Sequence, residues 1–213
     1  MPRHSALDLP ATYAIGDLHG EVSLLRRLLA RLPLREWDTL VFLGDYLHRG
    51  EDSPATIAAL RALERTHRAC VFLRGNHEDA WLEHWDGAGF RRWPEIADAR
   101  AVWDAYGGEI PADVGRWIAA TRIEYEDEHG YYVHAGLLPG APPWETLDDV
   151  KLWGEPAFLR SCADWGKPVV FGHWELREPL LSPDKIGVDT GAWRTGVLTA
   201  VRLPDRAVFQ ARR

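Results

Sequence analysis

TYAIGD at positions 12–17, TLVFLGD at 39–45 and ACVFLRGN at 69–76 decide the fold of this chain. Each is a short apolar run that ends in a glycine followed by Asp or Asn, which reads as a buried strand closed by a sharp turn. Between the first two lies EVSLLRRLLARL (21–32), with leucines at helical spacing and Pro33 as a stop. Between the second and third, Ser53 is expected to cap a helix that starts at Pro54 and runs to about His67. Strand and helix in alternation imply parallel strands joined by right-handed crossovers. The three strands then end at one edge of the sheet, where open α/β sheets bind their ligands. Asp17, Asp45 and Asn76 are brought together there.

Outward from this unit, 78–120 reads as mostly helical and cap-like. From 122 onward strands dominate: RIEYED, YYVHAG, PVVFGH, KIGVDT, VLTAVRL and AVFQARR. These read as a second, mixed sheet, with short helices over the site within 144–165. The 213 residues suit a single domain, 1–213. A chain of this length buries roughly 70% of its unfolded surface, so it needs no staples.

The net charge of −7 argues against nonspecific nucleic-acid binding. Any positive field must come from a few arginines and from metal. Cys70 and Cys162 lie outside any Cys-x-x-Cys pair and read as buried free thiols of a reducing, cytoplasmic compartment. Neither a signal sequence nor a run of ~20 apolar residues is evident, so no membrane partner is expected. Of the 11 tryptophans, Trp81, Trp85, Trp93 and Trp103 read as core packing.

The polar residues at the strand ends are Asp17 and His19 in GDLHG, Asp45 in GDYLHRG, Asn76 and His77 in RGNHE, His134 in YYVHAG and His173 in FGH. One Gly-Asp at a strand end is usually only a turn. The same chemistry on successive strand ends is a ligand set for divalent metals such as Mn, Fe, Co or Zn. It suffices for two ions sharing one carboxylate, the arrangement that holds both sides of an in-line phosphoryl displacement. Arg49 and Arg74 lie within a few residues of the ligands and can balance phosphoryl charge. His4, His67, His84 and His129 have no such setting and read as surface residues.

GDLHG, GDYLHRG, RGNHE, HAG and GH resemble the signature of the phosphoprotein phosphatases, within the calcineurin-like metallophosphoesterases. The resemblance covers Tyr13 to the C-terminus. It implies a four-layer α/β/β/α sandwich with a two-metal site between the sheets. It further implies Asp17, His19 and Asp45 as ligands of one metal, and Asp45, Asn76, His134 and His173 as ligands of the other, with Asp45 bridging. In that family a hydroxide between the metals attacks phosphorus. His77 matches the general acid, and Arg49 and Arg74 match the phosphate-binding arginines.

Two departures stand out. The family's second motif is GDxxDRG, whose second aspartate accepts a hydrogen bond from the catalytic histidine. Here His48 replaces it, and a neutral His48 is expected to accept that bond without adding negative charge. FGHW and DTGAWRTGVLTAVRL resemble the C-terminal part of the symmetrical diadenosine tetraphosphate hydrolases. The first expectation is a phosphomonoesterase with two divalent ions, manganese foremost, acting on phosphorylated proteins or small phosphate esters. The alternatives are symmetrical hydrolysis of diadenosine tetraphosphate, with Trp174 and Trp193 available to stack adenine, and a non-catalytic metal-binding protein on the same fold. No oligomeric state is legible.

Overall fold

The computed structural model describes residues 10–213; His4 lies outside them. Two five-stranded sheets are stacked face to face. The first begins with three parallel strands, β1 (Thr12–Ile15), β2 (Thr39–Phe42) and β3 (Cys70–Phe72). The crossovers carry α1 (Val22–Leu29) and α2 (Ser53–Thr66). α1 is shorter than the leucine pattern suggested. α2 is capped by Asp52, whose side chain accepts from the Ala55 N–H at 2.8 Å, and not by Ser53. The Ser53 hydroxyl turns inward instead and accepts from the His48 N–H at 3.0 Å.

The second sheet contains β4 (Glu124–Glu126), β5 (Tyr131–Val133), β6 (Val169–Phe171), β7 (Leu180–Leu181) and β8 (Lys185–Gly187), in the order β4-β5-β6-β8-β7. Both parallel and antiparallel pairs occur in it. The two C-terminal strands do not join it. β9 (Val197–Leu203) pairs antiparallel with β1, and β10 (Ala207–Arg212) pairs with β9, so both extend the first sheet. Local sequence could not decide this, because an amphipathic strand pairs equally well on either sheet edge.

Period-two alternation sorts the strand residues into layers. Tyr13, Ile15, Leu40, Phe42 and Phe72 face the helices that cover the first sheet. Ala14, Val41, Leu43, Val71 and Leu73 point the other way, into a core shared with Tyr132, Val170 and Ile186 of the second sheet. Val133, Val169 and Phe171 pack outward against Phe158. The result is the α/β/β/α sandwich.

Residues 76–119 carry α3 (Asn76–Leu82), α4 (Ala99–Ala105) and α5 (Ala112–Ala119). Their buried side chains, Trp81, Ala99, Val102, Val114 and Ile118, join the cluster on the outer face of the first sheet. The 144–165 region holds a 3-10 turn (Pro143–Glu145), α6 (Asp148–Trp153) and α7 (Pro156–Arg160). Cys162 is exposed, contrary to the sequence reading; Cys70 is half-buried. His67, His84 and His129 are half-buried as well. His67 and His129 each bond a backbone carbonyl through Nε2. No helix among the described residues is long and apolar enough to cross a membrane.

Candidate metal centre

The loops after β1, β2, β3, β5 and β6 meet above the shared core. Their backbone is unusual: His19, Asp45, His48, Arg49 and His173 all have φ between 43° and 74°. Non-glycine residues seldom occupy this left-handed region, and such strain clusters at functional sites. Gly44 and Gly75 make the crowding possible. Gly44 has φ 105°, and a Cβ on Gly75 would lie 2.1 Å from Asp45 Oδ1.

Glu78 holds the turns in register. It is fully buried, and its carboxylate accepts from the backbone N–H groups of Asp45 (2.8 Å), Tyr46 (2.8 Å), Leu47 (3.3 Å) and Gly75 (3.1 Å). Glu78 was absent from the sequence-derived set. A glutamate on the first turn of a helix after a Gly-Asn turn was the available signal, since N3 carboxylates bond back to the preceding backbone.

The imidazoles are arranged as ligands. His19 Nδ1 bonds the Leu47 carbonyl at 3.0 Å and His134 Nδ1 bonds the Leu43 carbonyl at 2.7 Å. A neutral ring that donates through Nδ1 presents an unprotonated Nε2, the usual outer support of a metal-bound histidine. The His173 ring also bonds the Trp153 backbone. Burial disfavours the charged form of two of them: it lowers His19 to about 4, and with the neighbouring His134 it lowers His173 to about 4.

Two groups of donor atoms lie at metal-binding spacing, His19–Asp45–His77 and Asp45–His134–His173. Asp45 is common to both. Its Oδ2 lies 3.5 Å from His19 Nε2, and its Oδ1 lies 3.5 Å from His134 Nε2. Asn76 joins the second group, with Oδ1 3.0 Å from His134 Nε2 and 3.1 Å from His173 Nδ1. Those two nitrogens are 3.3 Å apart. Two bare lone pairs this close repel, and a proton or a cation between them relieves the repulsion.

Asp17 sits beside the groups, outside both. Both its oxygens accept from the His173 N–H at 3.1 Å. Burial, Asp189 and Asp45 raise its carboxyl well above the usual range. Burial also opposes ionisation of Asp45, but the rings of His134, His77 and His19 hold it below that range. Buried carboxylates crowded among neutral imidazoles fit divalent cations, which invert the local preference for protonation.

His77 is grouped with His19 and Asp45, but its other nitrogen is already engaged. His77 Nδ1 lies 2.5 Å from His48 Nδ1. Trp81 Nε1–H donates to His48 Nε2 at 2.9 Å. An indole nitrogen only donates, so His48 Nε2 is bare and the ring's proton is on Nδ1. His48 therefore donates to His77, where the sequence reading had it accepting. The reversal comes from Trp81, 33 residues away in sequence.

The arginines are at the rim. Arg49 Nη1 reaches Glu175 Oε1 at 3.4 Å, and its guanidinium stacks over Trp193 at 5.0 Å. Glu175 also accepts from Trp193 Nε1 at 2.8 Å and from Arg194. Trp193 thus supports Arg49, and Trp174 donates to the Ala135 carbonyl at 2.8 Å. Arg74 is half-buried, 3.5 Å from Asp79 Oδ1 and 3.5 Å from the Thr121 hydroxyl.

Comparison with known proteins agrees with this architecture. The chain is 26% identical over 270 positions to a symmetrical bis(5'-nucleosyl)-tetraphosphatase of Janthinobacterium sp., covering 94% of this chain and 96% of that one. A protein of the same name from Nitrosomonas europaea is 27% identical, with 94% and 97% covered. A crystal structure solved as a candidate diadenosine tetraphosphatase superposes with a TM-score of 0.76 at 22% identity, over 96% of each chain. A serine/threonine phosphatase from Saccharomyces cerevisiae shares the fold at a TM-score of 0.63 and 16% identity, over 94% of this chain and 78% of that one. The family model for calcineurin-like phosphoesterases matches residues 11–182. With that match, the sandwich and the paired ligand groups, the chain belongs to the calcineurin-like phosphoesterases, metal-dependent hydrolases of phosphoric esters.

Proposed function

We propose that this enzyme hydrolyses dinucleoside polyphosphates, cleaving diadenosine tetraphosphate symmetrically into two molecules of ADP. The observation that carries the reading is the end-to-end match to relatives of that name. It supports this alternative better than the phosphomonoesterase expected first from the N-terminal motifs, and it agrees with the resemblance of FGHW and DTGAWRTGVLTAVRL.

In this reading Asp17, His19 and Asp45 hold one divalent ion, and Asp45, Asn76, His134 and His173 hold a second. Manganese is the first candidate, with iron, zinc and cobalt compatible with the same donors. The ions, when bound, activate water and offset phosphoryl charge. The chain itself orients the phosphates through Arg49 and Arg74. Its His77, whose Nε2 lies 3.8 Å from Asp45 Oδ2, is in this reading the group that meets the leaving oxygen.

A second reading, hydrolysis of small phosphate esters, is favoured by one observation. The alignment with the first relative spans 270 positions, against 213 residues here. The relatives therefore carry segments that this chain lacks, and this reading takes those segments to be ones that enclose a large substrate.

The test is product formation by metal-stripped protein, with and without added Mn²⁺, on diadenosine tetraphosphate, phosphoserine and an aryl phosphate in parallel. Mn²⁺-dependent appearance of ADP as sole nucleotide product, at a much higher kcat/KM than phosphate release from the esters, is the expected result. Release from the esters with the dinucleotide untouched would replace this reading with the second.

A further inference from the structure

We propose that Arg194 and Arg49, which share the carboxylate of Glu175, form a subsite for a second phosphate, the one bonded to the phosphoryl group that meets the metals. The inference deepens the function proposed above and rests on it for the presence of a phosphate chain in the natural substrate.

Three separate segments build the subsite at the edge of the metal centre. Arg49 stands four residues after Asp45, and Glu175 stands two after His173. Arg194 comes from α8 (Ala192–Thr195), between β8 and β9. Glu175 Oε1 accepts from Arg49 Nη1 at 3.4 Å and from Trp193 Nε1 at 2.8 Å. Its Oε2 accepts from Arg194 Nε at 3.0 Å and from Arg194 Nη2 at 2.7 Å. Four N–H donors on three side chains thus converge on one carboxylate, and two guanidinium cations face a single anion. The Arg49 guanidinium is held over the Trp193 ring at 5.0 Å, and the Trp193 carbonyl accepts from Arg213 at 3.2 Å. Gly191 leaves the group uncovered: a Cβ there would stand 3.2 Å from Glu175 Oε2 and 3.6 Å from Arg194 Nη2.

A donor array filled by a carboxylate is shaped for a phosphate as well, because guanidinium forks match both anions. Glu175 is not locked in place. Its side chain is 26% exposed, and ion pairs at such positions are worth little. A phosphate brings more acceptor oxygens and, beside two arginines, takes the donors while Glu175 turns to solvent. The two arginines differ in reach. The charge of Arg49 is felt at His19 and His77, so Arg49 borders the reacting phosphoryl group. Arg194 is 57% exposed and meets the cluster at the opposite oxygen of Glu175. It therefore serves an anion further out. A phosphomonoester has no charge to place there. A phosphate chain does, and that charge needs a cation so near the buried carboxylates of Asp17, Asp45 and Asp189.

ADP and AMP are the probes, since they differ by one phosphate. Their dissociation constants are measured by calorimetry on Mn²⁺-loaded protein at fixed free Mn²⁺, for wild type, Arg194→Gln and Arg202→Gln. Arg202 lies opposite Tyr13, near the start of β1 and away from the site, so its loss removes the same charge elsewhere. Wild type is expected to bind ADP at least about tenfold tighter than AMP. Arg194→Gln is expected to shrink that ratio by about tenfold, the scale of one charge-assisted contact, and Arg202→Gln to leave it as in wild type. If Arg194 only held Arg49 in place, both ligands would weaken together and the ratio would stay put, which would overturn the inference. Equal shrinkage in Arg202→Gln, or a wild type without preference for ADP, would overturn it too. ADP formation from the dinucleotide is scored separately. Without it, an Arg194-dependent ratio would remove the proposed substrate and leave this subsite standing; with it, an unmoved ratio would keep the substrate and remove the subsite.

Discussion

Asp45 offers Oδ2 to His19 and Oδ1 to His134, each at 3.5 Å, and its backbone N–H is held by Glu78. An amide at this position keeps the shape and one oxygen, but loses the charge and the second ligand. Asp45→Asn is therefore expected to lower kcat by about 10²–10³-fold, the scale of losing one principal electrostatic group. It should also abolish the rise in melting temperature on adding Mn²⁺, while the stripped variant melts no lower than stripped wild type. A variant that still gains stability from Mn²⁺ would show that the carboxylate is not shared. The residues for this were legible in sequence, because each sits after an apolar strand beside a glycine. The direction of the His48–His77 bond was not, because it depends on a tryptophan that the helical pattern marked only as core.

At the scale of elements, α2 is the crossover that brings its first turn to the rim of the site, and its start is set by Asp52. The Asp52 side chain satisfies the Ala55 N–H, and its carbonyl accepts from the Thr56 hydroxyl at 2.8 Å. Asp52→Ala is expected to lower stability by about 1 kcal/mol, the usual contribution of an N-cap, measured by urea denaturation. An unchanged midpoint would mean that Pro54 and the packing of Ile57 and Leu60 define the helix start unaided. The sequence reading placed the cap one residue late. Ser-Pro is the commoner signal, and only the fold reveals that the Ser53 hydroxyl is already committed to the His48 N–H.

For the whole molecule, the centre concentrates buried acid among buried neutral imidazoles, and this couples stability to pH. Burial raises Asp189 to about 7, with Glu175 and Asp45 adding to it, and Asp17 is raised for similar reasons. Between the ordinary carboxylate range and about 7 the folded state thus holds more protons than the unfolded chain, so these groups make stability fall as pH rises. The buried histidines act oppositely, but only below the ordinary imidazole value near 6.5. From about pH 6.5 to 7.5 the carboxylates act alone. Metal-stripped protein should lose up to ~1 kcal/mol per pH unit there, and saturating Mn²⁺ should reverse the slope, since a cation favours the ionised forms. Thermal melts at several pH values, with and without metal, check both signs; a stripped protein that gains stability over this interval would contradict the protonation assigned here. The parallel unit and a second sheet were legible in local sequence, and glycine-bounded strand ends delivered their polar residues to one edge; the four-layer stacking was implied by the family resemblance. The destination of β9 and β10, the bonds of Glu78 to the Asp45–Leu47 turn and the proton direction imposed by Trp81 were decided by tertiary structure alone. Each is a contact between residues far apart in sequence, and neither hydropathy nor spacing encodes which of several compatible partners a side chain meets.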